Sequence, residues 1–220
     1  MPHVLAIDGP AGAGKSTIAR RLAERLGYTY IDTGAMYRAV GLWALREGVA
    51  LDDAYRLEQL ARAAEIALDG ERRVFLNGEE VTEAIRTPEI SATASRVAAI
   101  GAVRAALVDK QRAIAERVSV VMEGRDIGTV VFPDARVKIF LDADPGERVR
   151  RRAGEQPHVP AEHLAAQIAE RDARDRGRAE SPLVQAPDAI YVDSTGLAPE
   201  EVEEEILRIV RSRISNGKDH

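Results

Sequence analysis

The chain has 220 residues, of which 45% are hydrophobic and 30% charged, with a formal net charge of −5; this suits one medium domain with an insertion and a substantial buried core. It contains no cysteine, which excludes structural disulfides, thiolate zinc sites and cysteine nucleophiles. The negative balance argues against a broad nucleic-acid footprint, and no stretch reads as a membrane span or a secretory leader, so the expected setting is cytoplasmic with neither nucleic acid nor membrane as partner.

In chain order, Val4-Leu5-Ala6-Ile7 reads as a buried strand. It runs into Gly9-Pro10-Ala11-Gly12-Ala13-Gly14-Lys15-Ser16-Thr17, which fits the phosphate-binding pattern G-x-x-x-x-G-K-[ST]. A helix with apolar positions at Ile18, Leu22 and Leu26 follows. A strand, glycine loop and helix in this order turn backbone N–H groups and a helix N-terminus toward one point, a geometry suited to polyphosphate. The glycines permit close approach and positive φ. In such a loop Lys15 reaches the β- and γ-phosphates and the Ser16 hydroxyl ligates Mg²⁺. A plain Gly/Ala-rich turn is the alternative, and the flanking strand and helix count against it.

Further strands are expected at Tyr28–Ile31, Val118–Met122, Val137–Leu141 and Ala189–Val192. Their alternation with helical patterns argues for a parallel sheet wrapped by helices. Met36 to Arg46 reads as a helix with Trp43 in the core. From Glu65 to Val81 the rhythm breaks into a small antiparallel meander with turns at Asp69-Gly70-Glu71 and Asn77-Gly78. Helical sequence runs from about Thr87 to Ala115, and the antiparallel patch marks an inserted subdomain. Gly154 to Pro160 reads as a loop, leading into a highly charged helix that ends near Arg178. A last helix covers Glu200 to Ile214, and the residues through His220 are expected to fray.

Three polar clusters fall where chemistry is expected, since ligands of open α/β sheets bind at the carboxyl ends of strands. Asp32-Thr33-Gly34-Ala35-Met36-Tyr37-Arg38 follows the second strand. Thr33 reads there either as a helix cap or as a ligand contact, and Arg38 as either a surface or a functional arginine. Glu123-Gly124-Arg125-Asp126 follows the apolar third strand and offers a ligand contact or a loop ion pair. In Glu170 to Arg178, a helical projection puts Arg171, Asp175 and Arg178 on one stripe with Arg174 beside it, and Asp172 with Arg176 on another side. By charge alone that run reads as a solvated helix laced with ion pairs. Beside a bound polyphosphate, the same arginines would stabilise a transferring phosphoryl group. Only four of the 31 basic residues are lysines. Base composition accounts for most of that bias, but arginine is also the better bidentate partner for phosphate.

The only asparagines, Asn77 and Asn216, are each followed by glycine, so the Asn-Lys-x-Asp guanine reader of GTPases is missing. No acidic pair of the hydrolase type follows an apolar strand. A small kinase with two flaps fits better, because phosphoryl transfer between nucleotides must exclude water.

Motifs in order along nearly the whole chain then carry a specific resemblance. They are IDGPAGAGKST at Ile7–Thr17, DTGAMYR at Asp32–Arg38, TPEISATASRV at Thr87–Val97 with Val103-Arg104, and EGRDIGTVVFP at Glu123–Pro133. KIFLDA at Lys138–Ala143, RDARDRGR at Arg171–Arg178 with Ser181-Pro182-Leu183, and AIYVDST at Ala189–Thr195 complete the set. The chain resembles the bacterial-type cytidylate kinases of the nucleoside monophosphate kinase group. That resemblance implies an α/β, three-layer αβα phosphate-loop fold with a five-stranded parallel sheet. The core would be residues 1–35, 116–150 and 180–220, with a monophosphate-binding insertion carrying a small antiparallel sheet at 36–115 and a helical lid at 151–179. It implies transfer from ATP, with Mg²⁺, to CMP or dCMP, by a single chain.

The resemblance also implies roles. Gly9, Pro10, Ala11, Gly12, Ala13, Gly14, Lys15, Ser16 and Thr17 would hold the ATP phosphates, with Ser16 on the metal. Arg38, Arg125 and Arg178 would grip the CMP phosphate, and Thr33, where the family often has serine, keeps the hydroxyl. Ser95, Arg104 and Asp126 would read the cytosine edge, where a carboxylate accepts from the exocyclic amine that uracil lacks. Arg171 and Asp175 would contact the sugar and Arg174 the transferring phosphoryl. Lys15, Arg125, Arg174 and Arg178 would thus catalyse by positioning and charge neutralisation, with no general base. A kinase of UMP or AMP, told apart by its base reader, and a nucleotide-binding regulator without turnover are the rival readings.

Overall fold

A computed structural model of the chain describes residues 2–69 and 73–215. The chain divides into two compact units, one made of Met1–Tyr30 with Val118–His220 and the other of Ile31–Arg117.

The first unit is built on β1 (Val4–Asp8), β2 (Thr29–Asp32, where the chain leaves for the second unit), β6 (Val120–Gly124), β7 (Val137–Asp142) and β8 (Ile190–Asp193). They form one five-stranded sheet in the order β2-β6-β1-β7-β8. β1 lies at its centre, with Leu5 opposite both Val121 and Val137 in parallel register, and β8 joins β7 with Ile139 opposite Ile190. All five expected strands are present. Each continues past its last apolar residue to end on Asp8, Asp32, Gly124, Asp142 or Asp193, because the ladder outlasts the hydrophobic run at the carboxyl edge of the sheet. Alternate residues Leu5, Ile7, Val121, Ile139, Leu141 and Val192 share a core with Ile18 and Leu22 of α1 (Lys15–Leu26) and Val202, Ile206 and Val210 of α8 (Pro199–Ser215). Ala6, Val120 and Met122, on the other face, are also buried, which explains why these strands read as unbroken apolar runs.

α6 (Pro145–Glu155) and α7 (Ala161–Arg176) pack against each other in this unit. The loop expected from Gly154 is shorter, since Gly154 and Glu155 close α6. The charged helix stops at Arg176, where the Gly177 N–H bonds the Ala173 carbonyl, and Arg178 lies beyond it. Residues 151–179, expected as a lid, belong to the first unit. One turn of π-helix at Ile127–Val131, which nothing in the sequence marks, follows β6.

The second unit holds α2 (Thr33–Arg46), α3 (Ala54–Ala63), the antiparallel sheet β3 (Ile66–Leu68), β4 (Val74–Leu76) and β5 (Glu79–Glu80), α4 (Pro88–Val97) and α5 (Gly101–Ala115). Met36, Val40, Leu57, Leu76, Ile85 and Leu107 belong to its own core. The Asn77-Gly78 turn has φ of 51° and 83°, the left-handed pair that a two-residue hairpin needs. The turn expected at Asp69-Gly70-Glu71 extends into residues 70–72, outside the described residues, as does the fraying expected of the last five.

Two expectations in this unit need correction. Thr33 does not cap α2: the Asp32 carboxylate accepts from the Ala35 N–H at 3.0 Å, making Asp32 the cap and Thr33 the first helical residue. The helical stretch from Thr87 to Ala115 is two helices bent by 100° around residues 98–100. The break carries no proline, so periodicity alone does not reveal it. α3 had no counterpart in the sequence reading. Among the described residues no single helix is long and apolar enough to cross a membrane.

Candidate active site

In the first unit the glycine loop joins β1 to α1. Gly9 adopts φ of 151°, and a Cβ there would lie 1.9 Å from the Leu141 carbonyl oxygen at the end of β7. No other residue fits that approach. Gly14, at φ 90°, stands at the N-cap of α1 and no side chain caps the helix. The first-turn N–H groups therefore present an anion site with nothing of the protein's own filling it. Lys15 is buried, its Nζ donating to the Pro10 carbonyl at 2.7 Å. Burial, then the charges of Arg125 and Arg171, pull its ammonium down to about 7 against the opposing pull of Glu123 and Asp8. Ser16 is exposed one residue further on.

The outside of the loop is braced by residues that the sequence reading left without a role. Asp172 accepts from the Ala11 N–H at 3.3 Å while Arg148 donates to the Ala11 carbonyl at 3.1 Å, and the two side chains pair with each other. One residue is thus held through the peptides on both its sides. Asp172, expected to share a solvated face with Arg176, is instead buried. Arg151 and the Ser194 hydroxyl both donate to the Ala13 carbonyl at 3.2 Å.

Asp175 gathers the expected arginines. It is 1% exposed, accepts from Arg125 Nε at 2.8 Å, pairs with Arg178 and has Arg171 Nε at 4.0 Å. Burial alone would raise its carboxyl, but Arg125, Arg178 and Arg171 outweigh burial and hold it below the usual carboxylate range. The helical stripe therefore holds for Arg171 and Asp175, Arg178 reaches Asp175 from beyond the end of α7, and Arg125, just past β6, is a further partner. Arg174 pairs with Glu170 one turn back. Glu123, also at the end of β6, accepts from the Tyr30 hydroxyl at 2.5 Å.

In the second unit Arg38 pairs with Asp32 at 2.8 Å, and Gly34 leaves the room: a Cβ there would sit 3.0 Å from both Arg38 Nη1 and Asp32 Oδ1. Arg104 is buried, donates to the Ala98 carbonyl at 3.2 Å and lies 5.4 Å from the Tyr37 ring centroid. Thr33 and Ser95 are buried on α2 and α4. Asp32 was legible as an acid beside a helix start. Arg148, Asp172, Arg151 and Ser194 gave no local signal. Among the described residues no group of three or more His, Cys, Asp or Glu is placed to hold a metal ion. The first unit thus offers a helix N-terminus, a buried lysine and clustered guanidiniums, an equipment suited to phosphate.

Residues 5–212 match the family model described as Cytidylate kinase. A cytidylate kinase of Solibacter usitatus is 64% identical over 222 residues, covering 98% of this chain and 95% of that protein. One from Caldanaerobacter subterraneus subsp. tengcongensis is 54% identical over 211 residues, 94% of each. The crystal structure of a Thermus thermophilus protein superimposes with a TM-score of 0.52 at 18% identity, covering 96% of this chain and 97% of that one. At that identity the likeness speaks for the αβα fold alone.

Proposed function

The chain belongs to the cytidylate kinase family, a phosphotransferase that moves a phosphoryl group from ATP to CMP, and on that premise we propose how its own residues share the work. The loop Gly9–Thr17 holds the ATP phosphates, with Lys15 swinging from the Pro10 carbonyl onto the β- and γ-phosphates. The observation that carries this is Lys15 itself: a buried ammonium at the start of α1, bonded to the loop's own Pro10 carbonyl and lowered to about 7 by burial and then by Arg125 and Arg171, whose charged form a bound polyanion favours. A Mg²⁺ ion fits the donor set, because Ser16 offers one exposed hydroxyl and phosphate oxygens with water supply the rest, the usual way this ion is held. When bound, the ion neutralises charge on the phosphates.

For the acceptor, Arg38, Arg125 and Arg178 take the CMP phosphate. Each is already aimed by a carboxylate, Asp32 for the first and Asp175 for the other two, so little side-chain entropy is left to lose on binding. Ser95, Arg104 and Asp126 read cytosine. Arg171 and Asp175 take the sugar, Asp175 exchanging a guanidinium contact for a hydroxyl, and dCMP is accepted as well as CMP. Arg174, paired with the exposed Glu170 one turn back, turns to the transferring phosphoryl. The acceptor is already an anion, so positioning and charge neutralisation suffice without a general base. The test is ADP release from Mg·ATP with CMP, dCMP, UMP, AMP and GMP offered separately. Activity confined to CMP and dCMP supports the assignment, whereas strong activity with UMP or AMP removes Ser95, Arg104 and Asp126 from base reading.

A further inference from the structure

Asp8 ends β1, directly before the loop glycine Gly9, and is only 4% exposed. Its carboxylate makes no turn of its own. It reaches across to the segment after β6, where Oδ1 accepts from the Ile127 N–H at 2.8 Å and Oδ2 from the Gly128 N–H at 2.7 Å. These are the two peptides that immediately follow Asp126. The Asp126 carbonyl, in the same peptide as the Ile127 N–H, accepts from the Val130 and Val131 N–H groups at 2.9 and 3.2 Å, closing the π-turn. The peptide that follows Asp126 is thus held at both its N–H and its carbonyl, with Asp126 at φ −149° and ψ 24°. Space at Gly128 is tight. A Cβ there would stand 3.1 Å from Lys138 Cδ and 3.4 Å from Asp8 Oδ2.

Holding a carboxylate in this place is expensive. Burial, with a lesser push from Asp126, lifts the Asp8 carboxyl to about 6, although both N–H groups and Lys15 favour its charged form. An apolar residue would end β1 with less desolvation. What only a carboxylate supplies is two adjacent acceptors for two successive N–H groups. A π-turn is also a rare element that tends to accompany functional sites.

We propose that Asp8 is a positioning residue for base selection: it ties the turn after Asp126 to the end of β1 and so aims the Asp126 carboxylate at the acceptor base. The inference rests on the reading of Asp126 as a base reader. Asp8→Asn keeps one acceptor and sets an amide N–H₂ against a backbone N–H, so it loosens the turn without altering Asp126 chemically.

The experiment measures kcat and KM for CMP and UMP at saturating Mg·ATP, with thermal melting, for Asp8→Asn, Gly128→Ala and Asp126→Ala. Gly128→Ala displaces the same turn with no change of charge and stands in should Asp8→Asn fail to fold. The expected result is a CMP KM raised about tenfold in both turn variants with little change for UMP, so that the CMP-to-UMP ratio of kcat/KM falls about tenfold while kcat for CMP stays within about threefold. A lowered melting temperature with an unchanged ratio in the turn variants, while Asp126→Ala relaxes it, overturns the positioning role and leaves Asp126 as base reader. An unchanged ratio in Asp126→Ala overturns the base-reading assignment itself, and the inference with it.

Discussion

Asp175→Asn removes a negative charge with which both Arg125 and Arg178 pair. The side chains are 2%, 16% and 6% exposed respectively, so the two guanidiniums lose that counter-charge where water reaches them poorly. Taking one partner from a buried pair costs roughly 3–5 kcal/mol, mostly the penalty of the charge left behind. Arg171, 33% exposed and 4.0 Å away, is screened and adds little. In a chain of this size each kcal/mol moves the melting temperature by about 2–4 °C, so the expected drop is about 6–20 °C near neutral pH. Saturating CMP narrows the gap, because its phosphate brings negative charge to the same guanidiniums. The sign with pH is fixed by the depressed carboxyl. Its contribution is fully present above the unfolded carboxyl value of about 3.9 and is lost as pH falls through the folded value, so the two melting curves converge in acid. Circular dichroism melts from pH 2.5 to 8, with and without CMP, decide the matter. A drop under about 2 °C at pH 7.5 would show that the arginines are solvated and that Asp175 is not their organiser.

Other outcomes follow from the loop. Lys15→Ala is expected to lower single-turnover phosphoryl transfer by about 10²–10³-fold, the usual loss for a group aimed at developing charge; near-normal turnover would remove Lys15 from the site. Because the free-state ammonium sits at about 7 and a polyphosphate favours the charged form, ATP binding above pH 7 takes up a proton. The dissociation constant measured by calorimetry should therefore rise by up to about tenfold per pH unit above 7 and level off below it. A flat profile from pH 6 to 9 would show that Lys15 is charged throughout. Gly9→Ala puts a methyl 1.9 Å from the Leu141 carbonyl, so ATP binding and melting temperature should fall together, and a variant that melts normally with full ATP affinity would contradict the packing described.

What the sequence disclosed and what it withheld divide along the distance between interacting groups. The glycine loop was legible because its phosphate-binding groups are contiguous, and the sheet because its three central strands, β1, β6 and β7, are buried on both faces. The pairing of Arg171 with Asp175 was legible from helical geometry, whereas Arg178 joins them from beyond the helix end and Arg125 stands fifty residues away. Asp172 has Arg176 as its i,i+4 neighbour on the helix, and that local reading misassigned it, since Arg148 reaches it from α6. The cap of α2 was misjudged by one residue because aspartate and threonine both suit the position and only the backbone geometry decides between them. α3 shows the opposite case. Asp53 caps it and Leu57 and Ala61 line its buried face, a pattern of one cap and two apolar positions that is short beside the adjoining meander.

The position of β1 has a consequence for how the chain is made. β1 lies between β6 and β7, and Val4 meets its first neighbour at Val120. At about 5–20 residues per second of synthesis, that partner is roughly 6–23 s away when β1 leaves the ribosome. The residues that emerge meanwhile are those of the second unit, Ile31–Arg117, which carries a core of its own. The inserted unit can therefore fold before the sheet that hosts it. The apolar strand Val4-Leu5-Ala6-Ile7 stays exposed for that interval, the natural point for a chaperone or an aggregation partner to engage the nascent chain.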